Sequence, residues 1–250
     1  MTAPAPPPRP ALRVHAVELP ARFGDVEGTL EHVGRLARAL GPDLVVLPEL
    51  SLTGYVSPRG DADLSRFAEP LRGRTIVAAR RIARDAGAAL AVPLVLDEGH
   101  ALFNATVLVG PEGEVRAVYR KRHPWFPERW ATPGREPHPV VELGGVRVTF
   151  ATCYDVHFVA EEGKEALEHA DVLVFPSAWV DDEGTRIPLL QGIARTFRVG
   201  VVNANWGPGE PRLPGQGDSV ILDASGRVLA QVNEHGGVAS ARLEARTEAR

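Results

Sequence analysis

Cys153 is the only cysteine in the chain, and it ends an apolar run, Val146-Arg147-Val148-Thr149-Phe150-Ala151-Thr152, with Tyr154-Asp155 directly after it. A rigid strand aims a side chain, and a turn beyond the strand frees a backbone N–H beside it. That is the setting a thiol nucleophile needs, although a lone cysteine is ordinarily a small, inert core residue. A second stretch, Asp43-Leu44-Val45-Val46-Leu47-Pro48-Glu49, carries a buried-strand pattern straight into a carboxylate. A third, Tyr119-Arg120-Lys121-Arg122-His123-Pro124, sets a lysine at the end of a strand pattern, and Glu128 follows in Phe126-Pro127-Glu128-Arg129. A thiol, a carboxylate and an ammonium can supply a nucleophile, a proton carrier and a cation for developing negative charge. Taken singly, Glu49 reads as a turn residue, Lys121 as one of three surface cations and Glu128 as an ion-pair partner of Arg129.

The elements that must hold these groups follow from periodicity and turn chemistry. Leu12–Leu19 reads as a strand, and Asp25–Leu40 as a helix with Val26, Leu30, Val33, Leu36 and Leu40 on one face, stopped by Gly41-Pro42. The strand Leu44–Leu47, a helix over Gly73–Ala86 and strands Ala88–Leu96, Leu102–Val109 and Val115–Tyr119 come next, the last three joined by tight turns. The second half opens with a hairpin through Gly144-Gly145 into the Cys153 strand. Helices over Glu161–His169 and Ile187–Arg198 then flank a strand Val172–Phe175, and Val201–Trp206 with three hairpin-linked strands closes the chain.

The halves echo one another. Asp43-Leu44-Val45-Val46-Leu47-Pro48 matches Asp171-Val172-Leu173-Val174-Phe175-Pro176, and Thr106–Val115 matches Ser219–Val228 in the same order. Helices joining strands, followed by hairpins, predict an α/β fold of two mixed sheets with helices outside and an internal pseudo-duplication. Residues 1–10 read as a disordered Pro-rich leader and residues 11–250 as a single domain.

Composition narrows the function. Of 250 residues 44% are hydrophobic, ample for a core, and the net charge of −4 gives no electrostatic footprint for nucleic acid. One cysteine excludes an internal disulfide framework. No signal sequence and no apolar run of spanning length is visible, so a cytoplasmic protein with no membrane partner is expected. The eight histidines lack metal-ligand spacing, and neither a dinucleotide fingerprint nor a Gly-x-Ser-x-Gly elbow occurs, so no metal and no cofactor is expected.

The order Glu49, Lys121, Cys153 in these contexts resembles the nitrilase superfamily of carbon–nitrogen hydrolases. Supporting matches run along most of the chain: Asn104-Ala105-Thr106, Gly110-Pro111-Glu112-Gly113, Pro176-Ser177-Ala178-Trp179, Asn205 and Gly217-Asp218-Ser219-Val220-Ile221. The resemblance implies a four-layer αββα sandwich and a Glu–Lys–Cys triad. It further implies support from Glu128 and from the Tyr154 backbone N–H, and a homodimer or larger even-numbered assembly paired across second-half helices. Tyr55, Trp125, His157, Trp179 and Trp206 stand at positions that could line the pocket. Where many relatives read Arg-Phe-Pro-Glu, this chain has His157-Phe158-Val159-Ala160, and where Arg-Ala-x-Glu-Asn is common it has Ile193-Ala194-Arg195-Thr196-Phe197. His157 could read substrate or cap a helix.

The implied activity is hydrolysis of a small linear amide or N-carbamoyl compound through a Cys153 thioester. Alternatives are a nitrilase acting on a C≡N carbon and a catalytically silent scaffold. The short stretch after Leu243 favours the amidase over filament-forming nitrilases. On this reading, loss of Lys121 should lower turnover and leave stability little changed.

Overall fold

Asp25 starts the first helix, α1 (Val26–Leu40), by accepting a hydrogen bond from the Gly28 N–H (3.1 Å). Its buried stripe, Val26, Leu30, Val33 and Ala37, packs with Ile76, Ala79, Ile82 and Ala83 of α2 (Arg74–Ala86). Gly87, at φ +62°, closes α2 in the left-handed conformation that glycine adopts without penalty. The computed structural model describes residues 9–20, 22–181, 183–209, 212–233 and 236–246. Residues 1–8 of the expected leader lie outside the described residues. The Pro10 carbonyl, at the leader's end, accepts from the Ala245 N–H (2.8 Å).

The first sheet contains β1 (Ala11–Glu18), β2 (Asp43–Val46), β3 (Ala88–Asp97), β4 (Leu102–Val109) and β5 (Val115–Arg120). The second contains β6 (Val141–Leu143), β7 (Val146–Phe150), β8 (Val172–Ser177), β9 (Gly200–Asn205), β10 (Val220–Leu222) and β11 (Val228–Gln231). The last strand, β12 (Gly237–Glu244), returns to the first sheet, so the orders are β12-β1-β2-β3-β4-β5 and β11-β10-β9-β8-β7-β6. Each sheet is mixed: β1-β2-β3 and β7-β8-β9 are parallel, and the flanking pairs are antiparallel. Strand sense therefore repeats, β1 to β5 against β7 to β11. The duplicated segments seen in the sequence fall on equivalent strands, β2 with β8 and β4 with β10.

Period-two alternation divides each central strand between two cores. Leu44 and Val46, with Val172 and Val174, face the apolar layer between the sheets, where Val14, Phe150, Val202 and Ile221 also lie. Val45 and Leu47 face α1 and α2, while Leu173 and Phe175 face the helices of the second half. Strands covered on both faces read as continuous apolar runs, as these do. The result is four layers, αββα.

Two expectations need correction. The helix expected over Glu161–His169 is two short ones, α3 (Val159–Glu162) and α4 (Lys164–His169), parted at Gly163. A Cβ on Gly163 would lie 2.9 Å from the Val159 carbonyl oxygen, so glycine permits the close approach there. The third closing strand, β12, does not continue the hairpin series. It pairs antiparallel with β1, from Leu12 opposite Leu243 to Val17 opposite Val238, and covers what would otherwise be an apolar edge. The remaining long helix, α5 (Arg186–Phe197), lies within one residue of its expected span.

The inter-sheet layer gives a direct stability expectation. Ile221→Ala, in a fully buried site of that layer, should cost about 2–5 kcal/mol. Urea unfolding should show a lower midpoint with an unchanged slope.

Candidate active site

Glu49 and Cys153 follow the carboxyl ends of β2 and β7, one from each sheet, where open α/β sheets place their ligands. The β7 ladder runs on as far as Ala151, whose N–H donates to the Val174 carbonyl (3.2 Å). Cys153 then turns at φ +48° and begins a 3₁₀ turn, Cys153–His157. A non-glycine residue held there stores about 1–3 kcal/mol of strain, which surrounding structure must over-determine. Leu50, directly after Glu49, also has φ +48°.

Lys121 extends the line of β5. Its backbone N–H donates to the Asn104 carbonyl (2.8 Å), and its carbonyl accepts from the Gly134 N–H (2.8 Å). A Cβ on Gly134 would collide with the Arg120 carbonyl oxygen, so the two segments meet this closely only through glycine. The pleat separates the basic trio. Arg120 and Arg122 point outward to Glu98 and Glu162, while Lys121 points inward and is 1% exposed. The reading of Lys121 as surface charge is thereby removed.

Inside, the Lys121 ammonium donates to Glu49 Oε1 (2.7 Å) and to Glu128 Oε1 (2.6 Å). Asn104 Nδ2 bridges the same two carboxylates, to Glu49 Oε1 (2.8 Å) and Glu128 Oε2 (3.0 Å). The Tyr55 hydroxyl donates to Glu128 Oε1 (2.7 Å), and the Ala178 N–H donates to Glu49 Oε2 (3.0 Å). Glu128 thus pairs with Lys121 rather than with Arg129. The supporting roles of Asn104 and Ala178 were not assigned from the sequence. For Asn104 there was a signal, a polar residue inside the apolar strand Phe103-Asn104-Ala105.

Burial sets the protonation of the cluster. It pushes the Glu49 carboxyl up; Lys121 pulls it back, Glu128 pushes it further, and the net position is above the ordinary glutamate value. Burial opposes the Lys121 charge, but Glu49 and Glu128 outweigh it and hold the ammonium protonated beyond a free lysine. The Cys153 thiol is pushed well up by burial and by Glu49, against Lys121 and a backbone hydrogen bond from Ala178. The resting arrangement is therefore a neutral thiol beside an ammonium and a carboxylate of raised proton affinity. Such a set can move a proton from sulfur to Glu49 and hold negative charge against Lys121.

A cleft of about 120 Å³ opens onto Cys153, lined by Trp125, Tyr154, His157, Ala178, Trp179 and Val180. Larger depressions of about 480 to 630 Å³ lie elsewhere and do not include Cys153 among their walls. The His157 ring stands 5.0 Å from Tyr154 and 6.0 Å from Trp179, while Phe158 takes the cap position of α3. Tyr55 and Trp206 do not line this cleft. They meet edge to face (5.9 Å) behind it, and Trp206 Nε1 donates to the Trp179 carbonyl (2.9 Å), so they support the wall. Among the described residues no group of three or more His, Cys, Asp or Glu side chains could hold a metal ion, and no helix is long and apolar enough to cross a membrane.

Comparison with known proteins gives the chain a family. The carbon–nitrogen hydrolase family model matches residues 13–249. The chain is 30% identical over 222 residues to an (R)-stereoselective amidase of a Pseudomonas species, covering 87% of this chain and 80% of that one. It is 30% identical over 195 residues to a nitrilase of Pyrococcus abyssi, covering 78% and 73%. A cysteine mutant of the amidase from Nesterenkonia sp. AN1, solved with butyramide, superposes with a TM-score of 0.82 at 27% identity over 93% of this chain and 91% of that one. The chain belongs to the carbon–nitrogen hydrolases, the nitrilase superfamily, on its amidase-like branch.

Burial of the cluster overturns the expectation that losing Lys121 leaves stability unchanged. Lys121→Ala strands two buried carboxylates, which should cost about 3–5 kcal/mol at pH 7, whereas Arg120→Ala and Arg122→Ala should each cost no more than about 1 kcal/mol. The pH dependence has a definite sign. A raised folded pKa means that the Glu49 contribution is fully present below its unfolded value of 4.5 and is lost as pH rises through the folded value. Without Lys121 the folded value rises further, so denaturant unfolding should show a smaller gap from wild type near pH 4.5 than at pH 7.

Proposed function

We propose that the protein is an amidase acting on a small, uncharged amide through a Cys153 thioester. Cys153 Sγ attacks the carbonyl carbon as Glu49 takes the thiol proton. The Lys121 ammonium and the Tyr154 backbone N–H receive the oxyanion. Glu49 returns its proton to the departing nitrogen, the C–N bond breaks, and ammonia or a small amine leaves the thioester. Glu49 then takes a proton from water as its oxygen attacks the thioester carbon. Collapse expels the sulfur, which recovers that proton, and the carboxylic acid departs.

The observation that carries this reading is the buried Lys121 ammonium held 2.7 and 2.6 Å from Glu49 and Glu128 beside the thiol-floored cleft. The relatives add support. The chain is similar to an amidase, and in a glutamate mutant of the Nesterenkonia enzyme the acetamide moiety of fluoroacetamide is covalently added at the active-site cysteine. Among the described residues, those lining the cleft include no carboxylate, lysine or arginine, which favours a neutral acyl group over an N-carbamoyl amino acid, whose carboxylate would want a cation. The cleft is small, about 120 Å³, which favours short acyl chains. The resemblance further supports a cytoplasmic homodimer contacting across α3, α4 and α5; light scattering at micromolar concentration should return at least twice the chain mass.

Incubation with acetamide, butyramide or benzamide in the presence of hydroxylamine, with the free hydroxamate read by its coloured ferric complex, tests the chemistry. Hydroxamate from the two smaller amides is expected, and none from Cys153→Ala at unchanged thermal stability. Turnover by Cys153→Ala near the wild-type rate would end the thioester mechanism. Because Glu49 must be ionised to accept the thiol proton, the acid limb of kcat/KM should have its midpoint above 4.5, the ordinary glutamate value. Glu49→Gln should lower kcat by roughly 10²–10⁴.

A further inference from the structure

Asp155 is a buried carboxylate two residues past Cys153, and none of the steps above uses it. Its Oδ2 accepts from the Tyr119 hydroxyl (2.7 Å) and from the Thr152 N–H (3.1 Å). Its Oδ1 accepts from the His123 N–H (2.8 Å) and stands 3.2 Å from His123 Nδ1. Tyr119 and His123 bracket Lys121 at the end of the first sheet, and Thr152 immediately precedes Cys153 at the end of the second. One carboxylate therefore joins the segment that carries the ammonium to the elbow that carries the thiol.

The rest of the neighbourhood braces this tie. The Asp155 N–H donates back to the Thr152 carbonyl (3.0 Å), and the Phe158 N–H donates to the Asp155 carbonyl (2.9 Å). The His123 ring stacks on Phe158 at 3.8 Å, and its Nε2 lies 3.3 Å from Glu162 of α3. The hydrogen bond to Asp155 raises the His123 pKa, aided by Glu162 and opposed by burial and Arg122. A buried carboxylate is costly unless its lone pairs are occupied, and here the donors that occupy them come from both catalytic segments. The left-handed Cys153 needs such over-determination.

We propose that Asp155 is a positioning residue for the reaction, fixing the Lys121 segment against the Cys153 elbow so that cation and nucleophile keep one spacing. The proposal rests on the amidase reading for its kinetic test, and a second, substrate-free test separates the two. Asp155→Asn keeps the shape but sets an amide N–H₂ against one of its donors, which loosens the tie. A misplacement of about 1 Å can cost about 10²-fold, so kcat per folded enzyme should fall by roughly that factor with KM within about two-fold. Tyr119→Phe removes one donor without altering the carboxylate, should cost a few-fold, and should add nothing on top of Asp155→Asn because both act on one tie. If Asp155→Asn does not fold, Tyr119→Phe alone carries the kinetic test.

The substrate-free test is the rate of Cys153 alkylation by iodoacetamide at pH 8, read by mass. A released elbow gives the thiol water, so the variants should alkylate faster than wild type while turning over more slowly. Loss of packing alone, with geometry kept, would lower the Tm and leave both rates per folded molecule unchanged; that result overturns the proposal, as does a wild-type kcat in Asp155→Asn. Absence of amide turnover in wild type would sink the amidase reading, while the alkylation rates would still decide whether Asp155 holds the thiol.

Discussion

One ammonium held between two carboxylates inside the protein is the constraint on which the rest of the site depends. Lys121, Glu49 and Glu128 are all nearly inaccessible to water, and removing three ions from solvent is favourable only when their remaining donor and acceptor capacity is met. Asn104, Tyr55 and the Ala178 N–H meet much of it. Those partners come from β4, from the loop after β2 and from the segment after β8, so both sheets must stand in register before the cluster closes. Well-packed apolar side chains of similar volume would often stabilise such a site as well or better. The cluster is thus a poor device for stability and a good one for presenting fixed charge beside a thiol.

The duplicated fold makes the asymmetry of the site visible. Extending the match of Asp43–Pro48 to Asp171–Pro176 by one residue sets Glu49 opposite Ser177. That hydroxyl donates to Asn205 Oδ1 (2.9 Å) and accepts from Asn203 Nδ2 (2.9 Å). Extending the match of Thr106 to Ser219 backward sets Asn104 opposite Gly217, whose carbonyl accepts from Asn205 Nδ2 (2.8 Å) and from Arg186 (2.9 Å). At equivalent strand ends one half has assembled ionised groups around a thiol and the other an amide–hydroxyl network flanked by the buried Arg186 and the Glu18 carboxylate, which accepts from the Ser219 N–H (3.1 Å). Strand order and sense, set by backbone pairing, stayed equivalent while the side chains beyond the strands diverged.

Much of this was legible in the sequence. Period-two runs and glycine turns locate β1 to β10 closely, and the strand contexts of Glu49, Lys121 and Cys153 mark the site. The inward orientation of Lys121 was also available, since alternation after the buried Tyr119 points every second residue the same way, but the neighbouring arginines masked it. Other features are not local properties. The break at Gly163 follows from how tightly the chain folds back on Val159, and the return of β12 to β1 from the need to cover an edge formed more than two hundred residues earlier. The cleft is assembled from Trp125, Tyr154 and Trp179 on three separate segments. Tyr55 and Trp206 have the same aromatic character, yet only packing decides that they stand one layer behind.

Burial raises the proton affinity of both Cys153 and Glu49, which leaves the thiol neutral at rest and makes the carboxylate a better proton acceptor. What matters in the proposed cycle is where the negative charge stands at each step. It begins on Glu49, 2.7 Å from the Lys121 ammonium, passes to sulfur as the proton moves the other way, and passes to the oxyanion as the C–S bond forms. Lys121 remains the counterion throughout, because Glu128 and the migrating charge both favour its protonated form. The site need not reorganise as charge develops, and preorganised charge in a low-dielectric setting is worth far more than the same charge in water. In that cycle Glu128, hydrogen-bonded to Lys121, Asn104 and Tyr55, would keep the ammonium anchored while Glu49 is neutral and the negative charge stands on sulfur or the oxyanion.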